Sequence, residues 1–284
     1  MQGFEAMVLY KLEPEIYNFR LLNQLSELLK RNDNSTNSFS IHLKLDTGMH
    51  RLGFDESDIP ELIVRLKNNK NIRVQSVFSH LAGSDEAEHD GFTKMQIEKF
   101  KRMSDQILPA FDYPIFQHLL NSAGVIRFQE AQLDMVRLGI GLYGFAATSH
   151  EQAHLQNVAT LKTTISQIKN VPADETVGYN RSGKLKRDTQ VATVAIGYAD
   201  GINRRLSNGA GKMFVNGKRV PIIGNICMDM CMLDITDVNA KEGDEVIVFG
   251  AELSVHEMAK SLGTIPYEIL TNVSQRVKRI YFHE

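Results

Sequence analysis

The sequence of 284 residues has no tryptophan, two cysteines and seven prolines, and neither sign of charge dominates. Its 32 basic and 34 acidic residues give a net charge of -2 without any long run of like charges, which argues against a nucleic-acid-binding surface or an acidic tail. No apolar run approaches the roughly 18 residues of a membrane span, and MQGFEAMVLY is not a basic leader with an apolar stretch. We therefore expect a cytoplasmic globular protein whose partners are small molecules or a second copy of itself.

The two cysteines, Cys227 and Cys231, lie in the segment CMDMC. A zinc site of tetrahedral geometry needs further ligands that this spacing does not supply, and thiols in a reducing compartment need not pair. We interpret both as ordinary strand residues, and no metal site is predicted.

The first half of the chain alternates strand and helix patterns. Residues 39–45 (FSIHLKL) have the period of two of a strand, and residues 71–80 (NIRVQSVFSH) follow as a second strand. Between them, residues 55–69 have helical spacing. A second helix is predicted within residues 91–108, with an apolar stripe of Phe92, Met95, Ile97, Phe100, Met103 and Ile107. Such repeated units predict parallel strands, in either a βα barrel or a doubly wound sheet, which the pattern does not separate.

The second half has a different pattern. From about residue 158 the apolar residues alternate with period two in several short runs, at 159–168, 189–198, 229–235 and 245–250. The dipeptide Asn216-Gly217 suits a type I′ hairpin, whose two central residues both need positive φ. We predict a mostly antiparallel β domain at 151–284 after an α/β domain at 1–150, joined by a polar, unpatterned segment near residues 146–157.

Polar side chains follow four successive apolar runs of the first half: Lys44, His80, Asn121 with Ser122, and Arg137. Any one of them has a structural interpretation, and a histidine at a strand end is more often structural than catalytic. In a parallel βα barrel, however, the carboxyl ends of the strands build the active site. Two cations with hydroxyl and amide donors favour an anionic, phosphate-bearing ligand.

Eight segments together resemble bacterial alanine racemases in order and approximate spacing, over nearly the whole chain. They are HLKLDTGMHRLGF, FSHLAGSD, NSAG, DMVRLGIGLYG, VGYN, VAIGYADG, GNICMDM and PYEILTNVSQRVKRIY. The resemblance implies a βα (TIM-like) barrel followed by a β domain, and pyridoxal 5'-phosphate as cofactor. It also implies interconversion of L- and D-alanine for peptidoglycan precursors by a head-to-tail homodimer with shared active sites.

The resemblance also implies roles for individual residues. Tyr179, supplied across the dimer, matches the base on one face of the substrate, and Arg137 matches the arginine at the pyridine nitrogen. Arg51 matches the arginine near the cofactor phenolic oxygen and the substrate carboxylate, and Lys44 a lysine that is often carbamylated to hold it. The other matched positions are His80, Ser122, Gly139, Ile140 and Tyr267 for the cofactor, and Met228, Tyr198 and Asp229 for the substrate. Lys44 also has an interpretation as an ordinary ion-pair lysine, and Met228 and Cys227 as core β residues.

The family's cofactor lysine lies in a K-A-x-A-Y-G motif, and these 284 residues do not contain that motif. We therefore expect a partial barrel that lacks roughly the first three of eight strands, with open edges and self-association. We also expect no racemisation by this chain alone. In some bacteria the racemase is the C-terminal part of a fusion with a cell-wall ligase. A chain of this kind therefore has more than one possible origin. The alternatives are a non-catalytic remnant that binds a ligand or partner, and a racemase of serine or another small amino acid.

Overall fold

The computed structural model describes residues 2–31, 38–146 and 152–282. The chain divides into two compact units, Met1–Leu155 and Gln156–Glu284. The boundary predicted between residues 150 and 151 lies outside the described residues. The described helices are α1 (Gln2–Leu9), α2 (Phe19–Arg31), α3 (Ile59–Lys67), α4 (Asp90–Ile107), α5 (Ser122–Arg127), α6 (Val255–Leu262) and α7 (Pro266–Asn272). The strands are β1 (Glu15–Ile16), β2 (Phe39–Lys44), β3 (Ile72–Phe78), β4 (Phe116–His118), β5 (Leu161–Val171), β6 (Thr176–Val177), β7 (Gly183–Lys184), β8 (Thr189–Val194), β9 (Lys212–Val215), β10 (Lys218–Ile223), β11 (Cys231–Asp234) and β12 (Glu245–Phe249).

The first unit is built on a parallel sheet in the order β1-β2-β3-β4. Helices α2, α3 and α4 lie between successive strands along the chain, and their apolar residues join those of the sheet in one buried core that includes Leu25, Leu43, Leu62, Val77 and Met103. A single parallel bridge joins His118 to Met135 beyond β4. The parallel strand-helix architecture predicted from the alternating pattern is confirmed, with both predicted strands in place.

Helix α4 buries most of the predicted apolar stripe but not its first two members. Phe92 and Met95 are 39% and 42% exposed, whereas Thr93 and Gln96 are fully buried. The Gln96 side chain donates to the His80 carbonyl at 3.2 Å, so a polar contact of the sheet end sets the rotation of the first turns. The remaining predicted members are buried or half-buried: Ile97, Phe100, Met103 and Ile107.

The second unit contains a closed barrel of six antiparallel strands, in the order β10-β11-β8-β5-β12-β9. Valines and leucines that point inward from these strands, such as Val194, Val215 and Leu233, are fully buried. Between β9 and β10, Asn216 has a φ of 42° and Gly217 a φ of 84°, which confirms the predicted type I′ hairpin. Closure leaves no unpaired strand edge in this barrel.

Among the helices of the described residues, none has the length and apolar character needed to cross a membrane.

Candidate active site

The polar residues predicted at the strand ends of the first unit do converge at one end of its sheet. Lys44 is the last residue of β2, His80 lies two residues beyond β3, and Ser122 begins α5 shortly after β4. Arg137 lies two residues past Met135, which forms an isolated bridge with His118. The apolar run DMVRLGIGLYG suggests an extended strand here, but the structure has only this bridge. Parallel strands place their carboxyl ends at the same edge of the sheet, and this brings the four residues together.

Arg137 is the most constrained of these side chains. Its Nη2 atom donates to the backbone carbonyls of Ser79 at 2.6 Å and Leu119 at 3.2 Å, and its Nη1 atom donates to Nδ1 of His118. Burial lowers the pKa of Arg137, and the nearby carboxylate of Glu15 opposes that shift. The guanidinium stays charged because arginine does not lose its proton in proteins. The result is a fixed cation at the end of the sheet.

His80 lies against this cation, with its Nδ1 atom 3.4 Å from Arg137 Nη2. Burial and, in decreasing order, the positive charges of Arg137, Arg51 and Lys44 together lower the pKa of His80 to about 4. At neutral pH the ring is therefore a neutral, flat surface surrounded by three cations. Such a surrounding attracts an anionic ligand.

Lys44 is buried, and its Nζ atom lies 3.8 Å from Glu15 Oε2 and 5.3 Å from the ring centre of Phe78. The ion pair with Glu15 supports the ordinary ion-pair interpretation of this lysine.

The structure of the loop at 46–54 accounts for several residues of the segment HLKLDTGMHRLGF, which contains Arg51. The Asp46 carboxylate accepts from the backbone N–H groups of Gly48 at 2.9 Å and His50 at 3.1 Å. Burial raises the pKa of Asp46, but these two bonds and the neighbouring His50 side chain together outweigh it, and the net shift is downward. Gly53 has a φ of 143°, and a Cβ there would lie 2.5 Å from the Asp46 backbone nitrogen. The loop therefore needs an acid at 46 and glycine at 53 to present Arg51, which is exposed.

The predicted phosphate-binding residues of the first unit surround one hydroxyl group. Ser122 Oγ accepts from the backbone N–H groups of Gly139 at 2.8 Å and Gly141 at 3.2 Å. Ile140 lies between them at the start of a single helical turn, Ile140–Tyr143. Because the hydroxyl oxygen accepts twice, its own proton remains to donate to an acceptor such as a phosphate oxygen.

The other predicted site residues belong to the second unit. Tyr179 is 69% exposed and follows Gly178 in a turn, and Asn225 Nδ2 donates to its carbonyl at 3.1 Å. Tyr267 lies on α7, much later in the sequence than Tyr179, and its side chain is exposed. The structure thus divides the predicted set between its two units.

The predicted substrate residues of the second unit lie on two paired loops. The Tyr198 N–H donates to the Cys227 carbonyl and the Ala199 N–H to the Met228 carbonyl, each at 3.0 Å. A Cβ at Gly197 would lie 2.4 Å from both carbonyl oxygens, so glycine is required for this approach. The Met228 side chain is 55% exposed, so its interpretation as a core residue is wrong.

Cys231 is fully buried in β11, while Cys227 is half-buried on the loop before it. Burial raises the pKa of the Cys231 thiol to about 12. Its interpretation as an ordinary strand residue agrees with that position. Cys227 precedes the strand, so for this residue the interpretation is wrong.

Three residues next to the predicted site were not foreseen from the sequence. Glu15 pairs with Lys44, His118 accepts from Arg137, and Arg276 contacts Asp229 Oδ1 at 2.5 Å and Asp200 Oδ1 at 2.7 Å. Side chains alternate between the two faces of β4, so His118 lies on the same face as Phe116. This alternation was a signal in the sequence that could have placed His118. Nothing in the local sequence distinguishes Arg276 from the other basic residues near the C-terminus.

Comparison with known proteins defines the class to which this fold and site belong. The family model described as alanine racemase, N-terminal domain, matches residues 1–147, and the model described as alanine racemase, C-terminal domain, matches residues 158–281. The chain belongs to the alanine racemase family.

Individual relatives agree with this assignment. The chain is 38% identical over 285 residues to an alanine racemase of Carboxydothermus hydrogenoformans, covering 98% of this chain and 76% of that protein. It resembles the solved alanine racemase of Clostridium difficile 630 with a TM-score of 0.90 and 33% identity, covering 99% of this chain and 73% of the other. The Bartonella henselae alanine racemase with covalently bound pyridoxal phosphate has a TM-score of 0.86 and 31% identity, with coverages of 98% and 75%.

Proposed function

We propose that this chain is an alanine racemase polypeptide that interconverts L- and D-alanine with pyridoxal 5'-phosphate. The observation that carries the proposal is the half-buried Arg137 guanidinium, fixed by two backbone carbonyls beside the neutral ring of His80. A fixed cation beside a flat uncharged ring suits a planar, anionic, aromatic cofactor. The family assignment supports the same conclusion.

The residues of the first unit fit this cofactor chemically. The guanidinium has five N–H donors, more than the three strong acceptors described around it use, so it has capacity for a ring nitrogen. The Ser122 hydroxyl and the backbone amide of Ile140 supply donors for a phosphate, and Gly139 holds the Ser122 oxygen in place. When bound, pyridoxal phosphate accepts the electron pair that remains when the Cα proton of the substrate is removed.

Arg137 would hold the pyridine nitrogen as an unprotonated acceptor, because a guanidinium donates hydrogen bonds and does not transfer its proton. By keeping that nitrogen unprotonated, Arg137 would favour return of the proton to Cα over side reactions.

Tyr179 would exchange the Cα proton on one face of the substrate. We assign it to the active site of the partner copy in a homodimer, in line with the family resemblance. Its exposure of 69% in this chain agrees with such a contribution to a neighbour. Arg51, the Met228 backbone, Tyr198 and Asp229 would contact the alanine or its approach path.

The printed sequence lacks the K-A-x-A-Y-G motif, and this favours a second candidate, a polypeptide that binds the cofactor without catalysis. The two candidates are separated by a chimera in which the motif-containing N-terminal segment of the Clostridium difficile relative precedes this chain. Formation of D-alanine from L-alanine is measured for the chain and for the chimera.

We expect activity from the chimera and none from the 284 residues alone. Tyr179→Phe in the chimera should lower kcat by about 100-fold or more, because positioned acid-base groups contribute at least that factor. The matched control, Tyr281→Phe, changes another exposed tyrosine of the second unit and should leave kcat unchanged. A chimera that binds the cofactor but forms no D-alanine would overturn the racemase proposal. Activity of the chain alone would overturn the expectation about the lysine.

A further inference from the structure

A row of polar side chains crosses the sheet of the first unit behind Arg137. His118 Nε2 lies 3.0 Å from Ser76 Oγ, Ser76 Oγ lies 2.6 Å from His42 Nδ1, and His42 Nε2 lies 2.9 Å from Glu13 Oε2. With the Arg137–His118 bond, the row runs without a gap from a half-buried cation to an exposed carboxylate. It spans three neighbouring strands of one sheet.

A β-bulge creates the central contact of this row. The pairing of β2 with β3 runs from Ile41 opposite Val74 to His42 opposite Ser76, so one residue of β3, Gln75, is left out of the register. Without the bulge, His42 would lie opposite Gln75. Directly opposed residues of neighbouring strands project from the same face of the sheet, and the bulge therefore puts His42 and Ser76 side by side.

The donor and acceptor chemistry of the end groups allows one direction for every bond. A guanidinium only donates, so His118 accepts at Nδ1 and must carry its proton at Nε2, which then donates to Ser76. The Ser76 hydroxyl is 1% exposed, and its remaining acceptor is His42 Nδ1. His42 then carries its proton at Nε2 and donates to the Glu13 carboxylate, which only accepts.

We propose that Glu13, His42 and Ser76 are positioning residues that act through His118 to fix the guanidinium of Arg137 for its ligand. This inference rests on the proposed function, in which Arg137 binds the pyridine nitrogen. The row keeps the Nδ1 lone pair of His118 available to Arg137 and holds the imidazole in place. An Arg137 side chain without this support would lose one of its three fixed acceptors.

The first test is the tautomer of each histidine in the full 284-residue chain. Long-range proton–nitrogen NMR of histidine-labelled protein at pH 8 reports which ring nitrogen carries the proton. We expect His118 and His42 both in the Nε2–H form, and in Ser76→Ala we expect His42 to become a mixture of tautomers. An Nδ1–H form or a mixture at His118 in the unmutated chain would overturn the proposal, whatever the chain does as an enzyme.

The second test is binding of pyridoxine 5'-phosphate, which keeps the pyridine ring and phosphate but has no aldehyde to react with lysines. We expect Ser76→Ala to raise its Kd by about 3- to 10-fold, the loss of roughly one hydrogen bond. Ser76→Thr keeps the hydroxyl and should restore binding. Ser104→Ala removes another fully buried hydroxyl of the same unit, outside the row, and should bind like the unmutated chain.

Equal weakening by Ser104→Ala and Ser76→Ala would show a general packing effect and overturn the proposal, as would unchanged binding in Ser76→Ala. If pyridoxine 5'-phosphate does not bind the unmutated chain at all, the proposed function fails. The histidine tautomers still decide the positioning row by themselves in that case.

Discussion

At the scale of single residues, the site depends on side chains whose charge is set by their neighbours. Arg137 holds a positive charge in a half-buried position, and the adjacent imidazoles of His80 and His118 are kept neutral by burial and by that charge. His118 also stacks on Phe78, with ring centres 4.8 Å apart. Burial and the charge of Arg137 together therefore keep the two histidines around it neutral.

These two histidines predict a loss of stability in mild acid. Burial and then Arg137 lower the pKa of His118 to about 4, as for His80, whereas an unfolded histidine titrates near 6.5. Between about pH 6.5 and pH 4 the unfolded chain binds protons that the folded chain does not, so the free energy of unfolding falls as pH is lowered. Above pH 6.5 these residues are unprotonated in both the folded and the unfolded chain, so they no longer make the free energy of unfolding depend on pH.

Urea unfolding of the full chain and of His118→Asn at several pH values measures the effect. We expect the variant to lose less stability between pH 6.5 and pH 4, by up to roughly 3 kcal/mol. Asparagine keeps an acceptor for Arg137 near the position of Nδ1, and His80→Asn should behave in the same direction. Parallel curves for the unmutated chain and both variants would contradict the assigned pKa shifts.

At the scale of elements, alanine substitutions at two glycines can measure the effect of backbone conformation on stability without a change in packing. Gly217 sits in the β9–β10 turn with positive φ, and Gly91 lies in the first turn of α4 with ordinary helical backbone. A Cβ added at either position meets nothing within 4 Å. Any difference between the two alanine variants therefore comes from the backbone.

We expect Gly217→Ala to lower the free energy of unfolding by about 1 to 2 kcal/mol, because an L side chain is strained in the left-handed region. Gly91→Ala should be neutral or stabilise by up to about 1 kcal/mol, because alanine favours the helix. Denaturant midpoints of both variants provide the measurement. A Gly217→Ala protein as stable as the unmutated chain would show that the turn is not type I′ in solution.

At the scale of the whole molecule, the two units solve the problem of strand edges differently. The second unit closes its six strands into a barrel, while the described sheet of the first unit stays open. Its edge strand β1 pairs only with β2 among the described residues, and beyond β4 there is a single bridge. Open strand edges favour association with other chains, and so do exposed apolar side chains elsewhere in the unit, such as Leu9, Tyr10 and Leu142.

We therefore expect the full chain to self-associate, and residues 156–284 expressed alone to form a folded monomer. Light scattering at several concentrations, with circular dichroism as the control for folding, tests both parts. A monodisperse monomer of the full chain would contradict the first expectation. An unfolded or aggregated fragment would contradict the second.

The sequence by itself determined the local features of this protein. Alternation of apolar residues predicts β2, β3 and the strands of the second unit, Asn216-Gly217 predicts its hairpin, and the polar residues after the strands predict a shared site. These features depend on neighbours along the chain, so their pattern is visible without a structure.

Tertiary structure alone decided which faces meet. Gln96 is buried in place of Met95, and its amide bonds to the His80 carbonyl just beyond β3, while His42 reaches Ser76 only because of a bulge. Both outcomes depend on register between separate elements. A periodic pattern describes each element alone and contains no information about the register of its partner.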